Sequence, residues 1–547
     1  METPRPGARL ARWRRALPVA HLVLLFAATA GAQVVTSQYD NARTGATTTE
    51  TILTPRNVNV REFGHLFRIP VDGDVYAQPL YLPRLRLAGG HVRDVLFVAT
   101  EHGSVYAWDA DSATARPIWH ASFVHPEAGV TSIPFRDLHC PFIRPEVGIT
   151  PTPVIDPASG TLYVLARTKE GGGDATRYVQ RLHALDVLTG AERAGSPVEI
   201  QASVPGTGDG AAGGSVRFDP LRENPRASLL LSQGRVILTW ASSCDVGPYH
   251  GWVMAYDAHT LSQLAVFNTC PDASQSGIWQ GDTGPAADSA GNVYVITGNG
   301  RFDAATGGRD YGDSVLRLAL RGGTLRVEDY FTPFNQGQLD ELDGDLGSGG
   351  PLLIGGDSHG PHRLVFASKA GTLYVIDRER MGRFHAGSDA HAVQTLASSN
   401  GEYAAPAYWN GHVFVQGSEV PLRDHLFARG RLEVGPVAQS TASMPNPGAT
   451  PIVSANGARD GVVWTVQSKP FGSEDRPAVL HAYDASNVVR ELYTSEQNAR
   501  RDRAGIALRF NIPTVARGRV YVGTRGGIDV YGLLGGRGAG PQSDRSR

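Results

Sequence analysis

Residues 291–298 read GNVYVITG, and residues 518–524 read GRVYVGT. The same short apolar phrase recurs as DVLFVATE (94–101), GTLYVLA (160–166), GRVILTWA (234–241), HRLVFASK (362–369), GHVFVQG (411–417) and GVVWTVQ (461–467). Most copies open on Gly and centre on Val-Tyr or a similar pair, the composition of a buried strand leaving a tight turn. The spacing of roughly 50 to 75 residues lies at the upper end for propeller blades. A Pro-containing strand usually opens each unit: Gln78-Pro79, Thr152-Pro153, Gly284-Pro285, Gly350-Pro351, Ala405-Pro406, Thr450-Pro451 and Ile512-Pro513. An Ala-x-Asp turn often follows, as in AWDA (107–110), ALDV (184–187) and AYDA (255–258 and 482–485). Several strands per unit and almost no helical periodicity predict an all-β, eight-bladed β-propeller over residues 63–534.

Ring closure needs a partner for an open sheet edge. The strand FGHLFRIPV (63–71) precedes the first full unit, so it is expected to complete the last blade beside residues 518–533. Residues 33–62 are polar and read as an extended lead-in, and residues 535–547 (GGRGAGPQSDRSR) as a disordered tail. Long inserts at 124–148, 202–226 and 300–313 are candidates for functional loops.

Residues 1–32 carry five arginines, then the apolar run LVLLFAA (22–28), then Ala30-Gly31-Ala32. This is the pattern of a signal peptide cut before Gln33, and it implies a periplasmic or secreted protein with no membrane span after cleavage. An uncleaved anchor is the alternative, for which the apolar run is short. Net charge is −2 and no basic stripe occurs, so no nucleic-acid partner is implied. Of three cysteines, Cys140 and Cys244 lie in loops and are expected to pair, leaving Cys270; three unpaired thiols are the alternative.

Five elements occur in order between residues 243 and 378: SCDVGPYHGWVMAYD (243–257), GIWQGDTG (277–284), TGNG (297–300), Thr332-Pro333 leading to LDGDL (342–346), and SKAGTLYVIDR (368–378). Taken together they resemble the pyrroloquinoline quinone (PQQ) dependent alcohol dehydrogenases, the quinoprotein dehydrogenase family. The resemblance implies calcium ligands at Asp245 and Asn299 and an aromatic floor for the quinone at Trp279. It implies a catalytic base at Asp345, with Asp343 as rival, and a quinone-binding lysine at Lys369. A flat cofactor needs an aromatic wall, calcium needs oxygen donors, and alcohol oxidation needs a base within reach of the hydroxyl.

Each residue also has a bland reading. Trp279 packs between blades, Asn299 turns a Gly-Asn-Gly loop, Asp245 and Asp345 cap loops, Lys369 ends a strand in water, and His250 is a hydrogen-bonded loop histidine. The chain departs from the family too. Asp245 stands where Glu is usual, the pair of adjacent cysteines is absent, and the Trp expected before Asp345 is missing. A Cys140–Cys244 bridge is a candidate replacement cap. No C-x-x-C-H occurs, so electrons would pass to a separate acceptor such as a cytochrome. Two functions are thus expected: an exported quinoprotein oxidising a small alcohol with PQQ and calcium, or a non-catalytic propeller serving as an envelope binding or scaffolding module.

Overall fold

The computed structural model describes residues 1–2, 32–113, 116–355, 360–398, 401–468 and 475–535. The expected leader falls on residues outside these, as does the tail beyond residue 535. The chain divides into Met1–Gly31 and Ala32–Arg547, and the fold below is that of the second unit.

It is an eight-bladed β-propeller whose blades are sheets of antiparallel strands in sequence order, with a parallel strand added to two of them, Arg383–Phe384 in the fourth and Ala46–Thr47 in the seventh. The first blade runs Leu80–Arg86, Val92–Ala99, Ser104–Asp109 and Trp119–Ser122. Each repeated phrase forms the second strand of its blade, and the strand after each Xaa-Pro pair is the innermost. Proline suits that place: innermost strands are short sheet edges, where a missing N–H breaks no ladder. The Asp of the Ala-x-Asp turn closes the hairpin between third and fourth strands. In Asp257 one carboxylate oxygen accepts the His259 and Thr260 N–H groups at 3.0 and 2.8 Å. Trp119, at the start of the first blade's outer strand, donates its indole N–H to the Val187 carbonyl of the second blade at 3.0 Å. Gly190 beneath it has no room for a Cβ, which would lie 2.5 Å from the ring.

The ring closes through the N-terminal strand. Phe63–Pro70 pairs antiparallel with Gly527–Leu533, completing the sheet of Thr514–Ala516 and Arg519–Thr524. Asp529, buried, is ion-paired to Arg68 at 2.7 Å and hydrogen-bonded to the His65 ring at 3.0 Å across that seam.

Residues 34–47 bind every blade in turn. Val34 exchanges both backbone hydrogen bonds with Tyr81 of blade one, and the Val35 carbonyl accepts Ile155 N–H of blade two. The Asn41 amide donates to the Leu231 carbonyl of blade three. The carbonyls of Asn41, Ala42, Thr44 and Gly45 accept Ala287, Leu353, Tyr408 and Val453 N–H of blades four to seven. The Tyr39 hydroxyl accepts Val515 N–H of blade eight at 2.9 Å. A segment that reaches all eight innermost strands lies on the ring's axis. To do so it takes left-handed backbone at Gln38, Tyr39 and Arg43, with φ of 55°, 73° and 60°. Such conformations persist only where surrounding bonds over-determine them.

Arg43 is the centre of that web. Its side chain is fully buried and donates to the carbonyls of Ser37, Leu229 and Pro285 and to the Thr36 hydroxyl. Burial pushes its guanidinium down to about 10, opposed by the nearby Asp40 carboxylate. Replacing it strands three buried carbonyls, so we expect Arg43→Met to cost about 3–5 kcal/mol in urea denaturation. Arg43→Lys should recover only part of this, because an ammonium lacks the planar fork. A wild-type unfolding midpoint in Arg43→Met would contradict the axial role.

Candidate functional site

Two loop classes meet at one mouth of a propeller: those leading into innermost strands and those joining second to third strands. They line a cavity of about 650 Å³. Asp345, Trp279, Lys369 and Asp245 reach it from the fifth, fourth, fifth and third units of the sequence repeat. The insert at 124–148 supplies a further wall. It is not free loop: Ile133–Pro134 pairs with Glu146–Val147, and Val130–Thr131 pairs with the long strand Thr161–Glu170.

Cys140 and Cys244 are joined by a disulfide, Cα atoms 5.5 Å apart, and both line the cavity. Cys270 is a buried free thiol. The bridge ties the insert to the loop that carries Asp245. Cys244 and Asp245 both have left-handed φ, near 55°, so the carboxylate is aimed by a strained turn that the bridge and the blade hold. The buried Tyr249 hydroxyl donates to Asp245 at 2.7 Å. Burial is the main cause of the raised pKa of Asp245, with Tyr249 opposing and Asp343 adding to the rise.

Trp279 packs edge-on to Tyr249, ring centroids 6.3 Å apart. Its indole N–H is buried and unpartnered, which makes it an orphaned donor at the cavity wall. Gly298 lets it lie there. A Cβ at Gly298 would stand 2.8 Å from the indole and 2.2 Å from a carboxylate oxygen of Asp345.

Asn299 and Asp345 are interlocked. Asn299 N–H donates to Asp345 Oδ1 at 3.1 Å, and Asn299 Oδ1 accepts Asp345 N–H at 2.9 Å. The Asn299 amide N–H donates to Asp343 Oδ1 at 2.8 Å. Lys369 then bridges the two acids, 2.7 Å from Asp343 and 3.0 Å from Asp345. Asp345 is buried and Asp343 is mostly exposed. Burial pushes Asp345 up to about 6 despite the ammonium, while Lys369 is raised because two carboxylates outweigh its own desolvation. Thus Asp343 and Asp345 share one cation, and Asp345, the buried one, has its pKa near working pH.

Three carboxylates (Asp245, Asp343, Asp345) face one ammonium in this corner, so full ionisation leaves two negative charges. That charge suits a divalent cation. Among the described residues, however, no three acidic, histidine or cysteine side chains converge on one metal position. Asn299 Oδ1 already accepts one hydrogen bond but keeps a second lone pair. The donors therefore fall short of the six to eight oxygens calcium takes, unless a ligand adds its own. The fit to a flat, anionic quinone is better: an indole wall with an unused N–H, a disulfide and lysine in one cavity.

His250 stands apart. It is buried, and its ring nitrogens lie 2.9 Å from the Cys270 and Asp209 carbonyl oxygens. Sequence reasoning missed Asp313, a buried acid accepting Leu346 N–H at 3.0 Å. Its pKa is raised well above the carboxylate range, mainly by burial. It also missed Arg226, Arg509, Phe510 and Tyr403, all on the cavity. The available signal was position, since these residues immediately precede innermost strands, as Trp279 and Asp345 do.

No protein-family profile and no curated relative matches the chain. Its fold does match solved structures. The quinohemoprotein alcohol dehydrogenase of Comamonas testosteroni aligns with TM-score 0.57 and 16% identity, over 94% of this chain and 82% of that one. The quinohemoprotein alcohol dehydrogenase ADHIIG of Pseudomonas putida aligns with TM-score 0.56 and 15% identity, over 94% and 82%. A europium-containing methanol dehydrogenase aligns with TM-score 0.57 and 14% identity, over 92% and 98%. At such identity the likeness is one of fold.

Gly298→Ala tests whether Trp279 and Asp345 are packed as described. We expect a loss of about 1–3 kcal/mol with a shifted tryptophan emission. Unchanged stability and emission would mean the wall has slack the structure does not show.

Proposed function

We propose that the axial cavity binds a PQQ-like quinone and oxidises a small hydroxy compound, passing electrons to a separate acceptor. The observation that carries this is the buried Asp345–Lys369 pair in the same cavity as the orphaned indole N–H of Trp279. The match of fold to alcohol and methanol dehydrogenases supports it. When bound, the quinone supplies the two-electron acceptor and any calcium beside it supplies Lewis acidity.

The chain's own residues do the rest. Trp279 offers an apolar face to a flat ring. Lys369 donates hydrogen bonds into the cavity from a charge already fixed by Asp343 and Asp345. Asp345, as carboxylate, takes the proton from the substrate hydroxyl at Oδ2, the oxygen that also accepts from Lys369. A divalent ion would find Asp245 on the cavity, but Asn299 is engaged with Asp343 and Asp345, so most of its oxygens would have to come from the ligand. The leader pattern at residues 1–32 supports a site of action outside the cytoplasm. Among the described residues no helix is long and apolar enough to cross a membrane.

The second reading is a non-catalytic envelope module. Its support is the closed network in which Asn299, Asp343 and Lys369 already satisfy one another.

The test is PQQ and calcium titration of the purified chain, read by quinone absorbance and thermal shift, then dye-linked alcohol oxidation. We expect saturable binding that Trp279→Ala weakens roughly tenfold or more. No binding at high micromolar PQQ would favour the module. Activity should rise with pH along a limb near 6 as Asp345 loses its proton. The raised pKa keeps the acid form, which cannot act as base, dominant below that limb. Asp345→Asn should lower turnover by about 10²–10⁴ and remove the limb. An unchanged limb would move the base to Asp343.

A further inference from the structure

Residues 333–351 cross from the outer strand of the fourth blade, Thr324–Thr332, to the innermost strand of the fifth, Leu352–Ile354. The crossing carries both acids of the Lys369 corner, Asp343 and Asp345. Before them comes a short helix, Gln336–Glu341. One side of this helix is anchored. Leu339 packs into the core between the fourth and fifth blades. The buried Gln336 amide donates to the Gly300 carbonyl at 2.8 Å. Ahead of the helix, the Phe334 N–H donates to Asp389 at 2.8 Å. After it, the Gly344 N–H donates to the Leu339 carbonyl at 2.7 Å. A Cβ at Gly344 would lie 2.9 Å from the Leu339 side chain, so the turn is close-packed.

The other side faces solvent. Phe334 is 46% exposed and Leu342 68%, one at each end of the helix. Gly337, Gln338, Asp340 and Glu341 are exposed between them. A Cβ at Gly337 would meet nothing within 4 Å, which leaves a dip between two apolar knobs. Among the described residues, neither Asp340 nor Glu341 makes an ion pair. The cations around them are engaged elsewhere. Lys369 is held by Asp343 and Asp345, Arg301 by Asp303, and Arg383 stands 3.9 Å from Asp329. Arg136 and Arg144 lie over the Phe135 ring, Arg226 over Phe510 and Arg509 over Phe142. Glu419, on the cavity from the sixth blade, adds a further carboxylate to the mouth. The helix thus presents an apolar face with an uncompensated acidic rim. It adjoins the cavity, because Leu342 is bonded directly to Asp343 of the cavity wall.

That chemistry selects the occupant. A second copy of this chain would bring like charges together, and an anionic lipid surface would be repelled for the same reason. A protein whose apolar contact patch is ringed by lysine or arginine fits. Two large apolar side chains make a small patch, which suits a brief encounter. Electron-transfer pairs occupy that end of the range, burying less than about 1,200 Å². The oxidation proposed above needs such a partner. Each alcohol oxidised releases two electrons and two protons; two acceptor molecules in turn take one electron each, and the protons pass to water. We propose that Phe334, Leu342, Asp340 and Glu341 form the docking surface for the electron acceptor, a small redox protein with a cationic rim around its exposed redox group. The acceptor role rests on the reading of the cavity as an alcohol-oxidising site. The docking surface itself does not require a quinone.

The experiment is calorimetric titration of the full mature chain with a lysine-rich c-type cytochrome, and with the same cytochrome made acidic by lysine succinylation. Each is run at about 10 mM and about 150 mM salt, between which the screening length falls from roughly 30 to 8 Å. Wild type is compared with Leu342→Ser and with the double variant Asp340→Lys, Glu341→Lys, with circular dichroism confirming the fold. We expect the native cytochrome to bind wild type roughly tenfold more tightly at the lower salt, and the succinylated form not to bind. Each variant should weaken binding by roughly tenfold or more. Equal binding of the two cytochromes, binding of neither, or wild-type affinity in both variants overturns the proposal. Sedimentation of the chain alone checks the other occupant: a dimer lost in Leu342→Ser assigns the face to a second copy and also overturns it. Variant-sensitive binding in a chain that takes up no PQQ keeps the docking surface and removes the acceptor role together with the quinone reading. PQQ uptake without cytochrome binding keeps the quinone reading and removes the docking surface.

Discussion

The structure depends on one short segment bonding to all eight blades. A propeller blade buries its faces only against its neighbours, so the axis is the one place where distant blades can be tied directly. Residues 34–47 use it, contributing backbone or side-chain hydrogen bonds to every innermost strand. Arg43 closes the web from inside by holding carbonyls from the third and fourth blades. Those carbonyls, at Leu229 and Pro285, are three and four residues from Arg226 and Gly281 on the cavity floor. The axial segment and the cavity therefore share supports, and the left-handed turns at 38, 39 and 43 are affordable because so many bonds fix them.

The cavity owes its chemistry to charge separation on that rigid frame. One corner gathers Asp245, Asp343 and Asp345 around Lys369. The floor holds Arg226 and Arg509 on aromatic rings. Burial gives these charges their leverage, since attraction between them and a ligand is weakly screened in a half-enclosed site. It also divides the two aspartates on Lys369. Both touch the ammonium, but Asp343 is exposed, whereas Asp345 is buried and driven up to about 6.

Much of the fold was legible in the sequence, because a second strand buried on both faces must be apolar and must leave through a tight turn. GNVYVITG and its seven relatives carry that signature directly. The closing strand 63–70 was legible from the need to cover an edge. The lead-in was not: SQYDNARTG (37–45) is polar, and its burial is stabilised by carbonyls hundreds of residues away. Trp279, Asp345 and Lys369 stood out through their ordered motifs, and the structure places them on one cavity with Asp245. Asn299 lies behind the wall, bonded to both aspartates. Arg226 and Arg509 carried no local signal, since each acquires its meaning from a loop far away in the chain.

The most direct measurement is a crystal structure of the mature chain grown with PQQ and calcium. The account predicts a tricyclic ring in the axial cavity against Trp279, with Lys369 at its edge and Asp345 open to the substrate side. A quinone bound elsewhere on the ring, or an axial cavity that stays closed by the Asn299–Asp343–Lys369 network at saturating quinone, would contradict it.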